Sequence, residues 1–253
     1  MVRGLDRFKS HFKGFEDRYV LIGGTACSLL MDDFGVSFRA TKDLDIVLCV
    51  EALDSAFVKS FWEFVRLGGY EFWQQSTGTK RFYRFEKPKD TTYPHMLELF
   101  SRRPDALYYE GEGHLTPIPA GEEASSLSAI LLDDAYYAFL QSGTRELEGV
   151  SVLMPECLIP LKARAWLDLS ERRYRGEHID RKHINKHKND IFRLYVILMP
   201  DTPVALPGRV GEDLSKFLQA MKSEVVDLKK FGSRQETLPE VLSELKRIYG
   251  LPD

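Results

Sequence analysis

Apolar positions in the first half of the chain alternate between short continuous runs and helical spacing. Tyr19-Val20-Leu21-Ile22 is a β-rich run that stops at Gly23-Gly24, and residues 25–31 beyond it have helix-forming composition. Thr25 and Gly24 compete as the cap of that helix. Residues 45–50 predict a second buried strand, and 53–65 predict a helix from the spacing of Phe57, Phe61, Phe64 and Val65. Three strand candidates follow, at 70–75, 81–85 and 95–100, with turn residues between them that suggest a meandering sheet. From residue 110 to 149 the pattern weakens, leaving 130–132 and 150–153 as strands that extend or edge the same sheet. Beyond Pro155 the period becomes helical, with helices predicted at 158–173, 184–198, 211–222 and 238–249. The expected class is α+β: a mixed sheet with flanking helices over residues 1–154, then a helical portion over 155–253.

Composition changes this picture little. At 253 residues and 43% hydrophobic, the chain can build a sizeable core, and nothing in it is low-complexity or disordered in character. No apolar run approaches the roughly 20 residues that cross a bilayer, and the charged N-terminal stretch lacks the apolar middle of a secretion signal. A cytoplasmic protein without a membrane partner is therefore expected. Cys27, Cys49 and Cys157 show no Cys-x-x-Cys spacing and sit among apolar neighbours, as reduced core thiols do.

Charge is more informative. The net charge is −3, yet residues 162–193 hold 10 Lys/Arg against 5 Asp/Glu, so that segment is +5 and the remainder −8. A basic segment in an acidic chain points to an anionic ligand at one place. The cations of that segment, Arg172, Arg173, Arg175, Arg181, Lys182, Lys186 and Lys188, make either a solvated face or a contact surface for RNA phosphates, with Tyr174 as its aromatic.

Asp43 and Asp45 stand two apart at the start of a strand, so their side chains share a face. Adjacent carboxylates repel, and a hard divalent cation such as Mg²⁺ is a usual reason to tolerate them. Glu98, alone among apolar neighbours at 95–100, is either the solvent side of an amphipathic strand or a third ligand from a second strand. Three convergent carboxylates would hold two Mg²⁺ ions. Gly23-Gly24-Thr25, between strand and helix, permits close approach of a phosphate to backbone N–H groups. Lys162 and Asp190 have bland alternatives, the first reaching to solvent and the second pairing with Lys186 one turn away. His183 and His187 have i, i+4 spacing but lack the internal Glu of a zinc hydrolase helix. Neither a P-loop nor a dinucleotide-binding glycine motif is present.

Taken together, Gly23-Gly24-Thr25-Ala26 and Arg39-Ala40-Thr41-Lys42-Asp43-Leu44-Asp45 resemble the first motif of the DNA polymerase beta-like nucleotidyltransferase superfamily. The Arg-x-Thr-x-Asp-Leu-Asp form looks most like the AbiEii/AbiGii toxin family of bacterial nucleotidyltransferases. Leu97-Glu98-Leu99 occupies the place of its second motif, and Leu161-Lys162, Arg172-Arg173 and Lys188-Asn189-Asp190-Ile191 look like its later ones. The resemblance spans about residues 19–194. It implies a nucleotidyltransferase-type sheet and an enzyme that moves NMP from an NTP to a hydroxyl. It also implies roles: Gly23, Gly24, Thr25 and Arg39 on the nucleotide, Asp43, Asp45 and Glu98 on two Mg²⁺, Lys162 on the β- and γ-phosphates, and Asp190 orienting Lys162 or the acceptor. Partners implied are an RNA acceptor such as tRNA and a cognate antitoxin. A small-molecule acceptor such as an aminoglycoside, or a non-catalytic nucleotide-binding module, are the alternatives. One departure stands out: Glu98 replaces the Asp found in many superfamily members, which changes the reach of that carboxylate.

Overall fold

The computed structural model describes residues 2–41, 43–49, 54–72, 82–100, 133–198, 204–232 and 235–252. The described residues of Met1–Leu131 and Thr144–Leu153 form one compact unit, and those of Leu132–Gly143 and Met154–Asp253 a second. The class is α+β, as the hydrophobic pattern predicts.

The first unit contains α1 (Leu5–His11), β1 (Tyr19–Ile22), α2 (Gly23–Asp33), β2 (Asp43–Leu48), α3 (Ser55–Gly68), β3 (Glu71–Phe72), β4 (Phe82–Glu86), β5 (Met96–Phe100), β6 (Thr144–Leu147) and β7 (Val150–Leu153). These strands make a mixed sheet in the order β3-β4-β5-β2-β1-β7-β6. The β2–β5 and β1–β7 pairs are parallel and the others antiparallel. β2 begins at Asp43, two residues earlier than the apolar run suggests, so both acids lie on the strand itself. β6 was not expected. It closes a hairpin onto β7 through Glu148 and Gly149, both at positive φ (51° and 79°), the backbone that suits a two-residue turn. Of the strand expected at 70–75 only Glu71–Phe72 is described, and 130–132 lies outside the described residues.

One face of this sheet is aromatic. Phe57, Phe61 and Phe64 repeat at i, i+4 and i+7 along α3, whose start is capped by Asp54 accepting from the Phe57 N–H at 2.8 Å. Phe12, just beyond α1, has its ring 5.3–6.1 Å from all three, and Phe61 lies 5.5 Å from Phe85 of β4. Each ring is almost wholly buried, an arrangement that contributes roughly 1.5–3 kcal/mol per side chain. Phe85 is in register with Leu97, and Leu97 with Leu44, so these residues belong to the aromatic face. Arg84, Glu98, Asp43 and Asp45, at the alternate positions, are left for the other.

The second unit contains α4 (Asp134–Ser142), α5 (Pro155–Tyr174), α6 (Arg181–Tyr195), α7 (Gly208–Met221) and α8 (Leu238–Ile248). α4 was not expected: Asp133 caps it by accepting from the N–H groups of Ala135 and Tyr136. The helical unit thus takes in residues well before Pro155. Trp166 of α5 packs edge-on against Phe217 of α7 at 5.4 Å. Pro160 lies inside α5 and offers no N–H to the Glu156 carbonyl four residues earlier. The Tyr249 hydroxyl donates to that carbonyl instead, at 3.0 Å. Cys27, Cys49 and Cys157 are buried free thiols. Among the described residues, no helix is long and apolar enough to cross a membrane.

Candidate active site

The parallel register of β2 and β5 sets Asp45 directly opposite Glu98 and Asp43 opposite Met96. Side chains two apart share a face, so Asp43, Asp45 and Glu98 point to the same side of the sheet. Glu98 is 7% exposed and shares a hydrogen bond with Asp45. Burial first, then the charge of Asp45 and that shared bond, push the Glu98 carboxyl up to about 8. Arg84, in register with Glu98 from β4, pulls the other way, its Nε and Nη2 donating to Glu98 Oε1 at 3.0 and 2.6 Å. The pair therefore holds a proton near neutral pH that two separate carboxylates would not.

Asp43 lies on the same face. Its Oδ1 is buried without a hydrogen-bond partner among the described residues, and His95 Nδ1 stands 3.5 Å away. Among the described residues, no group of three or more His, Cys, Asp or Glu side chains is gathered as a ready metal site.

The glycines sit hard against this acid face. Ile22, the last residue of β1, is in register with Asp45, and α2 starts at once on Gly23. Gly23 has φ 64°, and a Cβ there would lie 1.7 Å from Asp45 Oδ2. The Gly24 N–H donates to the same oxygen over a long 3.4 Å. A Cβ on Gly24 would meet Thr41 Oγ1 at 2.8 Å and Arg39 Nη2 at 3.4 Å. The Arg39 and Thr41 positions of the Arg-x-Thr-x-Asp-Leu-Asp motif thus line the glycine turn. Thr25 does not cap α2. It is the third helical residue, and its hydroxyl donates to the Asp43 carbonyl at 2.7 Å, tying helix to strand. The helix needs no side-chain cap here because Asp45 already receives one of its free N–H groups.

No protein-family model matches this chain, and no curated protein does. The solved structures similar to it include a nucleotidyltransferase-like protein and a polyadenylate synthase. One is an antigenic nucleotidyltransferase-like protein from Paracoccidioides brasiliensis, 19% identical, covering 98% of this chain and 96% of that one with a TM-score of 0.46. The other is the Megavirus polyadenylate synthase, 13% identical, covering 87% of this chain and 37% of that one with a TM-score of 0.39.

The remaining candidates, Lys162 and Asp190, belong to the helical unit and meet there. Lys162 Nζ lies 3.0 Å from Asp190 Oδ2, and both side chains are buried. Arg193 Nη1 reaches Asp190 Oδ1 at 3.1 Å while its guanidinium covers the Phe231 ring at 4.9 Å. Lys162 therefore does not reach to solvent, and the carboxylate of Asp190 faces Lys162 and Arg193. His187 is buried and His183 exposed, so that i, i+4 pair does not share one environment.

Sequence reasoning missed Arg84 and His95. Arg84 follows from strand alternation, since a residue beside Phe85 must face away from the core. Its meeting with Glu98 depends on the β4–β5 register, which no local pattern encodes.

Proposed function

We propose that the protein is a nucleotidyltransferase that moves a nucleoside monophosphate from an NTP to an acceptor hydroxyl and releases pyrophosphate. The observation that carries this reading is the β2–β5 register. It lays Asp43, Asp45 and Glu98 on one sheet face, against the glycine turn that opens α2. The acceptor oxygen attacks the α-phosphorus, the bond to the β-phosphate oxygen breaks, and the hydroxyl proton passes to a carboxylate. Glu98, in its ionised form, is the carboxylate proposed to take that proton. The Gly23-Gly24 backbone and Arg39 are the groups proposed to hold the nucleotide phosphates.

Asp43, Asp45 and Glu98 offer the oxygen chemistry that a hard divalent cation takes, though among the described residues they are not gathered into a ready three-ligand site. Asp43 Oδ1 is a buried oxygen without a hydrogen-bond partner among the described residues, and Asp45 and Glu98 are adjacent carboxylates competing for one proton. Asp43 and Asp45, with Glu98, would hold Mg²⁺, which when bound supplies neutralising charge to the phosphates.

The Arg39–Asp45 motif supports the finer reading of a toxin resembling the AbiEii/AbiGii family, held by an antitoxin and acting on RNA such as tRNA. Toxicity on expression, relieved by a neighbouring gene, tests the toxin role. Transfer from α-labelled NTPs to total RNA in Mg²⁺ tests the chemistry, and equal labelling by wild type and Asp45→Asn would overturn it. One observation favours a second reading, nucleotide binding without transfer: two hydrogen bonds from Arg84 already occupy Glu98 Oε1. Calorimetric NTP binding without labelled product from any acceptor selects that reading.

A further inference from the structure

The end of α5, the start of α6 and the loop joining them carry a groove that the proposed chemistry does not use. Two cavities meet there, of about 560 Å³ and about 310 Å³, and both are lined by Arg173 and Arg181. The smaller also has Trp166, Tyr174 and Asn185 in its wall. Along α5, Trp166, Ser170 and Tyr174 recur every fourth residue, so they form one stripe on one helix face.

Tyr174 is 93% exposed, an aromatic ring with no part in the core. Its neighbouring cations divide into two kinds. Arg172 pairs with Glu177 at 2.8 Å, and Arg175 with Glu171, so their charge is met locally. Arg173 instead donates to the uncharged carbonyl of Ile179, which fixes its guanidinium across the loop, with Asp180 in the wall of the same cavity but outside ion-pair distance. Neither Arg173 nor Arg181 makes an ion pair with an acidic side chain among the described residues. Residues 172–188 as a whole carry 7 Lys/Arg against 2 Asp/Glu.

We infer that this groove binds single-stranded nucleic acid, with a base stacked on Tyr174 and the backbone phosphates on Arg173 and Arg181. Acids also line the cavities, Glu177 and Asp180 in the larger and Glu224 in the smaller, but Glu177 pairs with Arg172 and Glu224 with Lys188. An exposed aromatic beside arginines outside any ion pair is the combination that reads unpaired bases without regard to sequence. Two joined cavities sharing the same arginines suit successive nucleotides better than a lone one. The inference rests on the transfer reading only in taking the bound strand as RNA and as the acceptor.

The test is binding of a fluorescent 12-nucleotide single-stranded RNA by anisotropy, with neither NTP nor divalent cation present. Tyr174→Ala should weaken binding roughly tenfold. Arg173→Ala with Arg181→Ala should weaken it further and reduce the salt slope by about 1.4, roughly 0.7 for each lost phosphate contact on a single strand. Both sites are exposed, and circular dichroism with melting confirms folding. Wild-type affinity in Tyr174→Ala overturns the inference, as does equal affinity for a duplex of the same sequence or for inorganic polyphosphate. Asp45→Asn serves as the separate arm and should bind RNA as wild type does. Tyr174-dependent binding with no transfer to any acceptor would leave the groove standing and remove the chemistry. Transfer to RNA that ignores Tyr174 would remove the groove alone.

Discussion

Asp190 in the helical unit is wholly buried and meets two cations, Lys162 and Arg193, whereas in the sheet unit Asp45 and Glu98 face each other with Arg84 on one of them and Asp43 two residues away. Both are buried carboxylate clusters flagged by the same sequence resemblance, yet their electrostatics run in opposite directions. Burying a charge is tolerable when it is paired and hydrogen-bonded, and the Asp190 cluster meets that condition with cations to spare. In the Asp45–Glu98 cluster Arg84 pairs with Glu98, yet the two carboxylates still face each other. That cluster meets its excess of carboxylate by keeping a proton on Glu98, whose carboxyl is raised to about 8. A fold that needed only stability would have no reason to keep the second arrangement. Under the proposed function the carboxylates of the sheet unit would carry the chemistry, and the Asp190 cluster ties α5 to α6.

The sharpest way to break that contrast is to neutralise one carboxylate in each cluster. Asp45→Asn should cut nucleotidyl transfer by about 10³-fold or more, because it removes charge aimed at the reacting phosphates. Its melting temperature should stay level or rise, since a repulsion is relieved. Asp190→Asn should behave in the reverse sense, losing about 3–5 kcal/mol in urea unfolding because two cations are left without their buried partner. A variant of Asp45 that unfolds, or one of Asp190 that loses less than about 1 kcal/mol, would collapse the distinction.

Gly23→Ala probes the geometry rather than the charge. The added methyl meets Asp45 Oδ2 at 1.7 Å in a backbone of φ 64°, so both the turn and the carboxylate must move. A left-handed backbone alone costs about 1–2 kcal/mol for an alanine. Displacement of Asp45 should add a loss of transfer of at least about tenfold. Unchanged kcat with lower stability would mean that the glycine serves only the turn. Lys162→Met tests the other side more gently. Arg193 still reaches Asp190, and the methionine fills similar volume, so about 1–2 kcal/mol of stability should be lost.

The elements that the chain writes locally were legible. Phe57, Phe61 and Phe64 repeat at a helical period and α3 follows; the aliphatic run after Asp45 is β2, extended by two residues to include Asp43. What the chain writes only through pairing was not. The contact of Arg84 with Glu98 needs the β4–β5 register, and the union of Lys162 with Asp190 spans 28 residues and two helices. Helix α4 escaped because its signal is short: a capping Asp133, then Tyr136, Tyr137, Phe139 and Leu140, aromatics that suit a strand as readily. The strand at 150–153 was legible, but β6 escaped because the turn joining it to β7 puts Glu148 at a positive φ that turn chemistry would sooner assign to Asn or Gly. The first-motif residues were readable since Gly23-Gly24 and Asp43-Leu44-Asp45 each sit at the junction of an element with the next.

The mildest prediction follows the proton. The Glu98 carboxyl is raised from 4.5 to about 8, so the folded state binds that proton more tightly than the unfolded chain does. Its contribution to stability is complete below about 4.5 and is lost as pH climbs through about 8. Urea midpoints of wild type, in the absence of divalent cations, should therefore fall relative to those of Glu98→Gln as pH rises from 5 to 8.5. Glutamine cannot ionise, keeps an oxygen for Arg84, and carries no charge toward Asp45, so its own profile lacks this component. Adding Mg²⁺ at pH 8.5 should restore the wild type more than the glutamine variant, since the cation takes over the neutralisation that the proton gave. Parallel profiles for the two proteins, with or without Mg²⁺, would place Glu98 among ordinary compensated carboxylates, alongside Asp190 rather than opposite it.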